Sequence, residues 1–393
     1  MSSWNLPSTI RESFVNAADL RVHILEAGNP DHPLVILLHG FPELSYSWRK
    51  VLAPLAGAGY YVVAPDLRGF GQTTTIGRDP SDRIQYDEDL NPFRPLGMVK
   101  DVVALVHALR RDSVYAVVGH DFGSQLAGCC TLTRGNLFRR VATMSSPFTG
   151  APSYKPTDGP KGTVRSPSII PLVRAGLAAL QPPRKHYTLY YSTPDANQDM
   201  HTAMGTTDDL HAFLRAYYHV KSADWEGNAP RRLAAPTPEA IEVLPEYYVM
   251  ALDRTMPESV LPYAPPAAAV AQNRWLPDDE LAVYVAEYAR TGFQGGLNRY
   301  RCMTDEDGRW DDDLLAFAGK KVEVPAMFIS GKKDWGVWQY PGAVEAMEAT
   351  LALMQGRFAL VEGAGHWVQQ EQPGALVDLL LSFFNQTDER GAV

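Results

Sequence analysis

The sequence predicts an α/β fold: a mostly parallel, eight-stranded sheet with helices on both faces and an inserted α-helical lid. Three observations predict it. Aliphatic and β-branched runs alternate with amphipathic helical patterns towards both ends of the chain. Residues 114–124 read as strand, sharp turn and helix, the turn being Gly119-His120-Asp121-Phe122-Gly123. From about 148 to 312 the strand signal disappears, and helical spacing, prolines and tyrosines take over.

Taken in order, residues 10–15 and 20–25 are expected to form a hairpin about Asn16-Ala17-Ala18-Asp19. Residues 33–38 are continuously aliphatic, the pattern of a strand buried on both faces. That strand ends in His39-Gly40-Phe41-Pro42-Glu43, and an amphipathic helix follows over 48–55. The next strand, 60–64, runs into Pro65-Asp66-Leu67-Arg68-Gly69-Phe70-Gly71. Its Gly-Phe-Gly lacks the third glycine and the prompt helix of a dinucleotide loop, so that reading is set aside. Residues 72–93 are polar, as in a surface loop, and 96–109 place Val99, Val102, Val103 and Val106 on one helical face. A strand is expected at 140–144. In the insert, Leu281, Tyr284, Val285, Tyr288 and Ala289 recur at helical spacing, with Pro277-Asp278-Asp279 as start and Gly292 as stop. Strands return at 324–330 and 358–362, accompanied by helices at 342–353 and 374–384. The expected division is a core over 1–147 and 313–393, with the lid at 148–312.

With 393 residues, 45% of them hydrophobic, the chain can bury a large core. A net charge of −9 argues against nucleic acid or an anionic membrane as partner. The three cysteines (Cys129, Cys130, Cys302) make no disulfide framework, and with no signal-peptide pattern a cytoplasmic location is expected. No apolar run reaches the roughly 20 residues of a membrane span. No His-Glu-x-x-His or comparable ligand cluster occurs, so neither a metal nor an organic cofactor is expected.

The glycines beside Asp121 permit a turn tight enough to lift its side chain out of the sheet. A serine there would suit acyl transfer, but attack of serine on saturated carbon leaves an ether that the enzyme could not cleave. A carboxylate leaves an ester, which water can hydrolyse. His39, Asp121, Asp334 and His366 all fall just past strand ends, where open α/β sheets bind ligands. Asp121, Asp334 and His366 come in the order nucleophile, acid, base. Plainer readings exist: Asp121 as a helix cap, Asp334 as a loop carboxylate beside Lys332 and Lys333, His366 as a structural histidine. Their common position favours the chemical one. The amides of Phe41 and Phe122 can serve as an oxyanion hole. A tyrosine suits the remaining task, donating to a leaving alkoxide, but residue type alone does not choose among the tyrosines of the insert.

These motifs resemble the α/β-hydrolase superfamily and, within it, the soluble-type epoxide hydrolases. The core carries His39-Gly40-Phe41-Pro42, Gly119-His120-Asp121-Phe122-Gly123-Ser124, Asp334 and Gly365-His366-Trp367. The insert carries His186-Tyr187-Thr188-Leu189-Tyr190-Tyr191 and Thr291-Gly292-Phe293-Gln294-Gly295-Gly296-Leu297-Asn298-Arg299-Tyr300-Arg301. The core motifs are shared with dehalogenases; the two tyrosine motifs separate the epoxide branch. The resemblance implies conversion of an apolar epoxide and water to a vicinal diol, with Tyr187 and Tyr300 holding the ring oxygen. His39, Pro42, Trp335, Trp367 and Tyr190 are expected around the substrate. Three departures stand out. Phe122 replaces the tryptophan common after the nucleophile, which disfavours halide binding. The insert is enlarged around 159–183 and 222–271, either reshaping the pocket or supplying a homodimer contact. Ser192-Thr193-Pro194-Asp195 stands where a Pro-Gly turn is expected. The rival readings are a dehalogenase or a lactone or ester hydrolase with the same triad, and a non-catalytic ligand-binding protein.

Overall fold

Eight strands form the main sheet of the computed structural model, which describes residues 4–157, 159, 161–165, 168–201, 206–309 and 311–386. They are β1 (Arg11–Ala17), β2 (Leu20–Ala27), β3 (Leu34–Leu38), β4 (Tyr61–Pro65), β5 (Ala116–His120), β6 (Val141–Met144), β7 (Val322–Gly331) and β8 (Phe358–Val361). Their order across the sheet is β1-β2-β4-β3-β5-β6-β7-β8. β2 pairs antiparallel with β1 and β4, and the other pairings are parallel. The aliphatic runs of β3 and β4, together with β5 and the shorter β6, are buried at every residue. They are covered on both faces, as a parallel sheet flanked by helices requires. Helix Phe122–Arg134 packs on β5 and β6, and helix Arg49–Gly57 packs beside Pro373–Phe384.

Two short pieces extend the sheet: Thr74–Thr75 pairs with β2, and Leu351–Leu353 pairs with the start of β7. The second corrects the helix expected over 342–353. That helix runs Ala343–Thr350 and then gives way, because Leu351-Ala352-Leu353 can pair with an otherwise free stretch of β7.

Between β6 and β7 the chain is mostly helical. Its main helices are Ile170–Ala179, Thr207–Lys221, Asp278–Thr291 and Gln294–Met303, with the short Tyr187–Tyr191. The predicted stop at Gly292 is a left-handed residue (φ 66°). Thr206 and Asp209 form a reciprocal capping box at the start of Thr207–Lys221. The insert is not purely helical. Tyr154–Pro156 pairs with Thr163–Arg165, and Arg184–His186 pairs with Val249–Ala251. Three-residue strands are too short to display a period of two, so the sequence does not show them. Residues 160, 166 and 167 of the enlarged 159–183 stretch lie outside the described residues. Helix Gln294–Met303 meets the loop after β4 backbone to backbone: a Cβ on Gly295 would lie 2.0 Å from the Gly69 carbonyl oxygen. This contact sets the helix bearing Tyr300 against the carboxyl end of the sheet.

Candidate active site

The turn after β5 needs its glycines. A Cβ on Gly119 would sit 1.8 Å from the carbonyl oxygen of Gly123, and one on Gly123 would sit 2.2 Å from that of Leu38. Between them Asp121 adopts φ 54° and ψ −114°, a left-handed conformation that is costly for a side-chain-bearing residue. The strain projects the carboxylate beyond the sheet.

Three loops bring the predicted triad together. His366 Nε2 lies 3.8 Å from Asp121 Oδ2, and Nδ1 lies 3.1 Å from Asp334 Oδ1. Asp334 is further held by the Gly336 amide (2.7 Å) and by the hydroxyls of Ser145 (2.6 Å) and Ser330 (2.9 Å). Burial raises the Asp334 pKa, but the neighbouring imidazole, the Ser145 hydroxyl and the Gly336 amide outweigh it and bring the group down to about 2. An ionised Asp334 fixes the proton of His366 on Nδ1 and leaves Nε2, which makes no hydrogen bond, with a free lone pair. Burial, with the charges of Lys221 and His120, holds the His366 pKa below its ordinary value despite Asp334.

His120 supports this arrangement from below. Its Nδ1 faces Glu43 Oε2 at 2.8 Å and its Nε2 faces the carbonyl oxygen of His366 at 2.7 Å. Both nitrogens meet acceptors, which suits the doubly protonated ring. Burial opposes that charge, but Glu43, Asp121 and Asp334 raise the His120 pKa.

The Phe41 amide donates to Asp121 Oδ1 at 3.0 Å, and the Phe41–Pro42 peptide is cis. Phe122 begins the helix directly after Asp121. Tyr187 and Tyr300 lie together, with ring centroids 5.8 Å apart, and the Tyr300 ring lies 4.5 Å from that of Phe122. Burial first, then the negative charge of Asp121 among other neighbours, pushes both hydroxyls well above the usual tyrosine range. They are neutral donors.

A cavity of about 570 Å³ opens at Asp121. Phe122, Gln125, Tyr187, Gln339 and Tyr340 share its wall with Asp121, and the Arg299–Asp311 ion pair (3.3 Å) contributes charge. Tyr300 and His366 do not line it. Nor do the five residues expected around the substrate, each of which is engaged elsewhere. His39 spans two loops, from the Gly40 carbonyl (2.9 Å) to the Leu67 amide (3.0 Å). Its ring therefore fixes the loop that carries Phe41. The Pro42 carbonyl accepts the Tyr218 hydroxyl at 2.9 Å, and Trp367 Nε1 donates to the Tyr218 carbonyl at 2.8 Å. Tyr190 donates to Asp199 at 3.0 Å, and Trp335 is buried in the turn after Asp334. Gln125, Gln339 and Tyr340 were missed. Gln125 lies one helical turn beyond Asp121, which is the signal that could have found it. Tyr340 lies outside the insert, where no motif draws attention to it.

The geometry has parallels among known proteins. The family described as "alpha/beta hydrolase fold" matches residues 33–161. Epoxide hydrolase A of Mycobacterium tuberculosis is 31% identical, over 96% of this chain and 98% of its own. An epoxide hydrolase of Caballeronia sordidicola is 28% identical over 96% of this chain and 95% of its own. Among solved structures, an epoxide hydrolase from an endophytic Streptomyces superposes with a TM-score of 0.71 at 30% identity, covering 96% of each chain. Potato (Solanum tuberosum) epoxide hydrolase I superposes with a TM-score of 0.68 at 26% identity, covering 96% of this chain and all of its own. Similarity of this extent, running through core and insert alike, makes the chain a member of the epoxide hydrolases of the α/β-hydrolase fold.

Proposed function

We propose that this enzyme hydrolyses an epoxide to a vicinal diol through an ester on Asp121. The observation that carries the reading is Asp121 itself: its carboxylate lines the cavity with Tyr187, while its Oδ2 lies 3.8 Å from the unpaired His366 Nε2. The Phe41 amide occupies Oδ1, which leaves Oδ2 as the attacking oxygen. Tyr187 and Tyr300 donate hydrogen bonds to the ring oxygen. Oδ2 attacks a ring carbon from the opposite side, the carbon–oxygen bond breaks, and the departing oxygen takes a tyrosine proton. His366 Nε2 then removes a proton from water, and the hydroxide attacks the ester carbonyl carbon. The charge that develops on Oδ1 falls on the Phe41 and Phe122 amides. One such donor is typically worth roughly 2.7–4 kcal/mol in the transition state. Collapse expels the second diol oxygen, which takes the proton held on His366, and the proton left on the regenerated Asp121 carboxyl passes to the tyrosinate.

In this reading residues 148–312 act as a lid over the core. The aromatic part of the lining, Tyr187 with Phe122, Phe148 and Tyr340, fits an apolar epoxide. Three buried cysteines with free thiols support a cytoplasmic location. Phe122 offers no ring N–H to a departing halide, which disfavours dehalogenation. Turnover of an aryl epoxide in water labelled with heavy oxygen tests the mechanism. Label should enter the Asp121 carboxylate over repeated cycles. Diol formation with an unlabelled Asp121 would exclude the ester.

A further inference from the structure

Helix Thr207–Lys221 ends on a lysine that is only 3% exposed. A buried ammonium ordinarily takes a carboxylate partner. Among the described residues, no carboxylate forms an ion pair with Lys221. Its Nζ instead lies 4.8 Å from the ring centroid of Tyr248, 5.1 Å from Tyr217 and 5.6 Å from Tyr247. Tyr187 at 5.7 Å and Trp367 at 5.9 Å complete the cage. Each ring face is electronegative, so together they hold the cation in place of an anion. The helix carboxyl end favours positive charge at the same point.

Two of these rings adjoin the proposed reaction centre. Tyr187 lines the cavity at Asp121, and Trp367 packs 4.5 Å from the His366 ring. The Lys221 carbonyl also accepts the His366 amide at 2.8 Å. One residue thus fixes the histidine backbone and sets its ammonium over the Trp367 ring that packs on the imidazole.

We propose that Lys221 is a positioning residue for the water-activating step, its caged ammonium keeping His366 unprotonated so that Nε2 stays available as the base. This rests on the catalytic reading above. Several groups face His366. Asp334 and Asp121 favour the imidazolium, whereas Lys221 and His120, charged against Glu43, oppose it. Glu371 accepts the amides of Gly365 and Trp367 on either side and is pushed by burial to about 7. The cage hydroxyls of Tyr187, Tyr247 and Tyr248 are raised far above neutrality by burial and carry no charge. Without Lys221 the carboxylates prevail, and the histidine protonates at a higher pH. The base would then be lost in a range where the native enzyme still works.

The test is the rate of ester hydrolysis in single turnovers, followed against pH in the wild type, Lys221→Met and Lys221→Arg. Methionine fills the cage without charge, and arginine keeps the charge. In Lys221→Met the acid limb should move upward by about one pH unit. In Lys221→Arg it should stay, and ester formation should be unchanged in both. Slower hydrolysis at every pH with an unmoved midpoint in Lys221→Met would mean that the cage only packs, and the proposal falls. A second measurement needs no variant: the His366 ring resonances of the wild type, titrated by NMR, should show a midpoint below 6.5. A midpoint at or above that value overturns the proposal even where Lys221→Met does not fold. If the wild type forms no ester at Asp121, the catalytic reading falls and this proposal with it. Ester formation with an unmoved midpoint removes the Lys221 role alone.

Discussion

Asp121 Oδ1 accepts the Phe41 amide at 3.0 Å, so the proposed nucleophile already rests one oxygen on a donor that its ester would need. An asparagine preserves that contact, since its side-chain oxygen accepts as a carboxylate does. It lacks the anionic second oxygen that attacks carbon. Asp121→Asn should therefore lower kcat by at least about a thousandfold while leaving the affinity for a non-reactive substrate analogue within a few-fold. Initial rates and equilibrium binding check the two halves. A variant retaining more than a tenth of wild-type turnover would remove Asp121 from the chemistry.

His366 serves only the second half of the proposed reaction. His366→Gln should form the ester and then stall. A rapid stoichiometric burst with almost no steady-state turnover is expected. Mass spectrometry should find the epoxide mass added to the peptide containing Asp121. Absence of that adduct, with the burst also absent, would place His366 before rather than after ester formation.

Tyr187 and Tyr300 donate to one oxygen in the proposed reaction, so both losses should fall on the same step. Tyr187→Phe and Tyr300→Phe should each slow ester formation by about 10- to 100-fold, and the double variant should approach the full loss of acid assistance, about 10²–10⁴-fold. Ester hydrolysis should change little in either single variant. Stopped-flow measurements that separate the two steps decide this. Equal slowing of both steps would point to a packing defect.

Asp334 ties stability to acid. Its folded pKa, about 2, lies below the ordinary 3.8. The contribution is therefore fully present above pH 3.8 and is lost as pH falls through about 2. The difference corresponds to roughly 2 kcal/mol. Denaturant titrations should show wild-type stability declining across this window, with a shallower decline in Asp334→Asn. Parallel curves would remove Asp334 as the source.

The parts of this protein that repeat a physical pattern were legible in its sequence. Aliphatic β3 and β4 could only be strands buried on both faces, and the glycines around Asp121 could only serve a tight turn. Those two facts located Asp121, and the later strand ends located Asp334 and His366. The cavity wall was not legible, because it is assembled from side chains whose neighbours lie far away in the chain. Trp367 and His39 looked like pocket residues from their places beside the triad and the Phe41 loop, but both point into packing. Nothing in the sequence sets Lys221 apart. Only the folded chain gathers Tyr187, Tyr217, Tyr247, Tyr248 and Trp367 around it. Tyr300 and Tyr187 were singled out from among 18 tyrosines by the resemblance of their motifs, since periodicity treats them all alike.

The edge-on packing of Trp367 against His366, at 81° between ring planes, gives the enzyme a built-in optical gauge. An imidazolium draws electron density from an excited indole, whereas a neutral imidazole quenches it far less. Emission from Trp367 should therefore dim whenever its neighbour holds a proton and recover when that proton leaves, so the protein's own ultraviolet light can time the cycle without a dye.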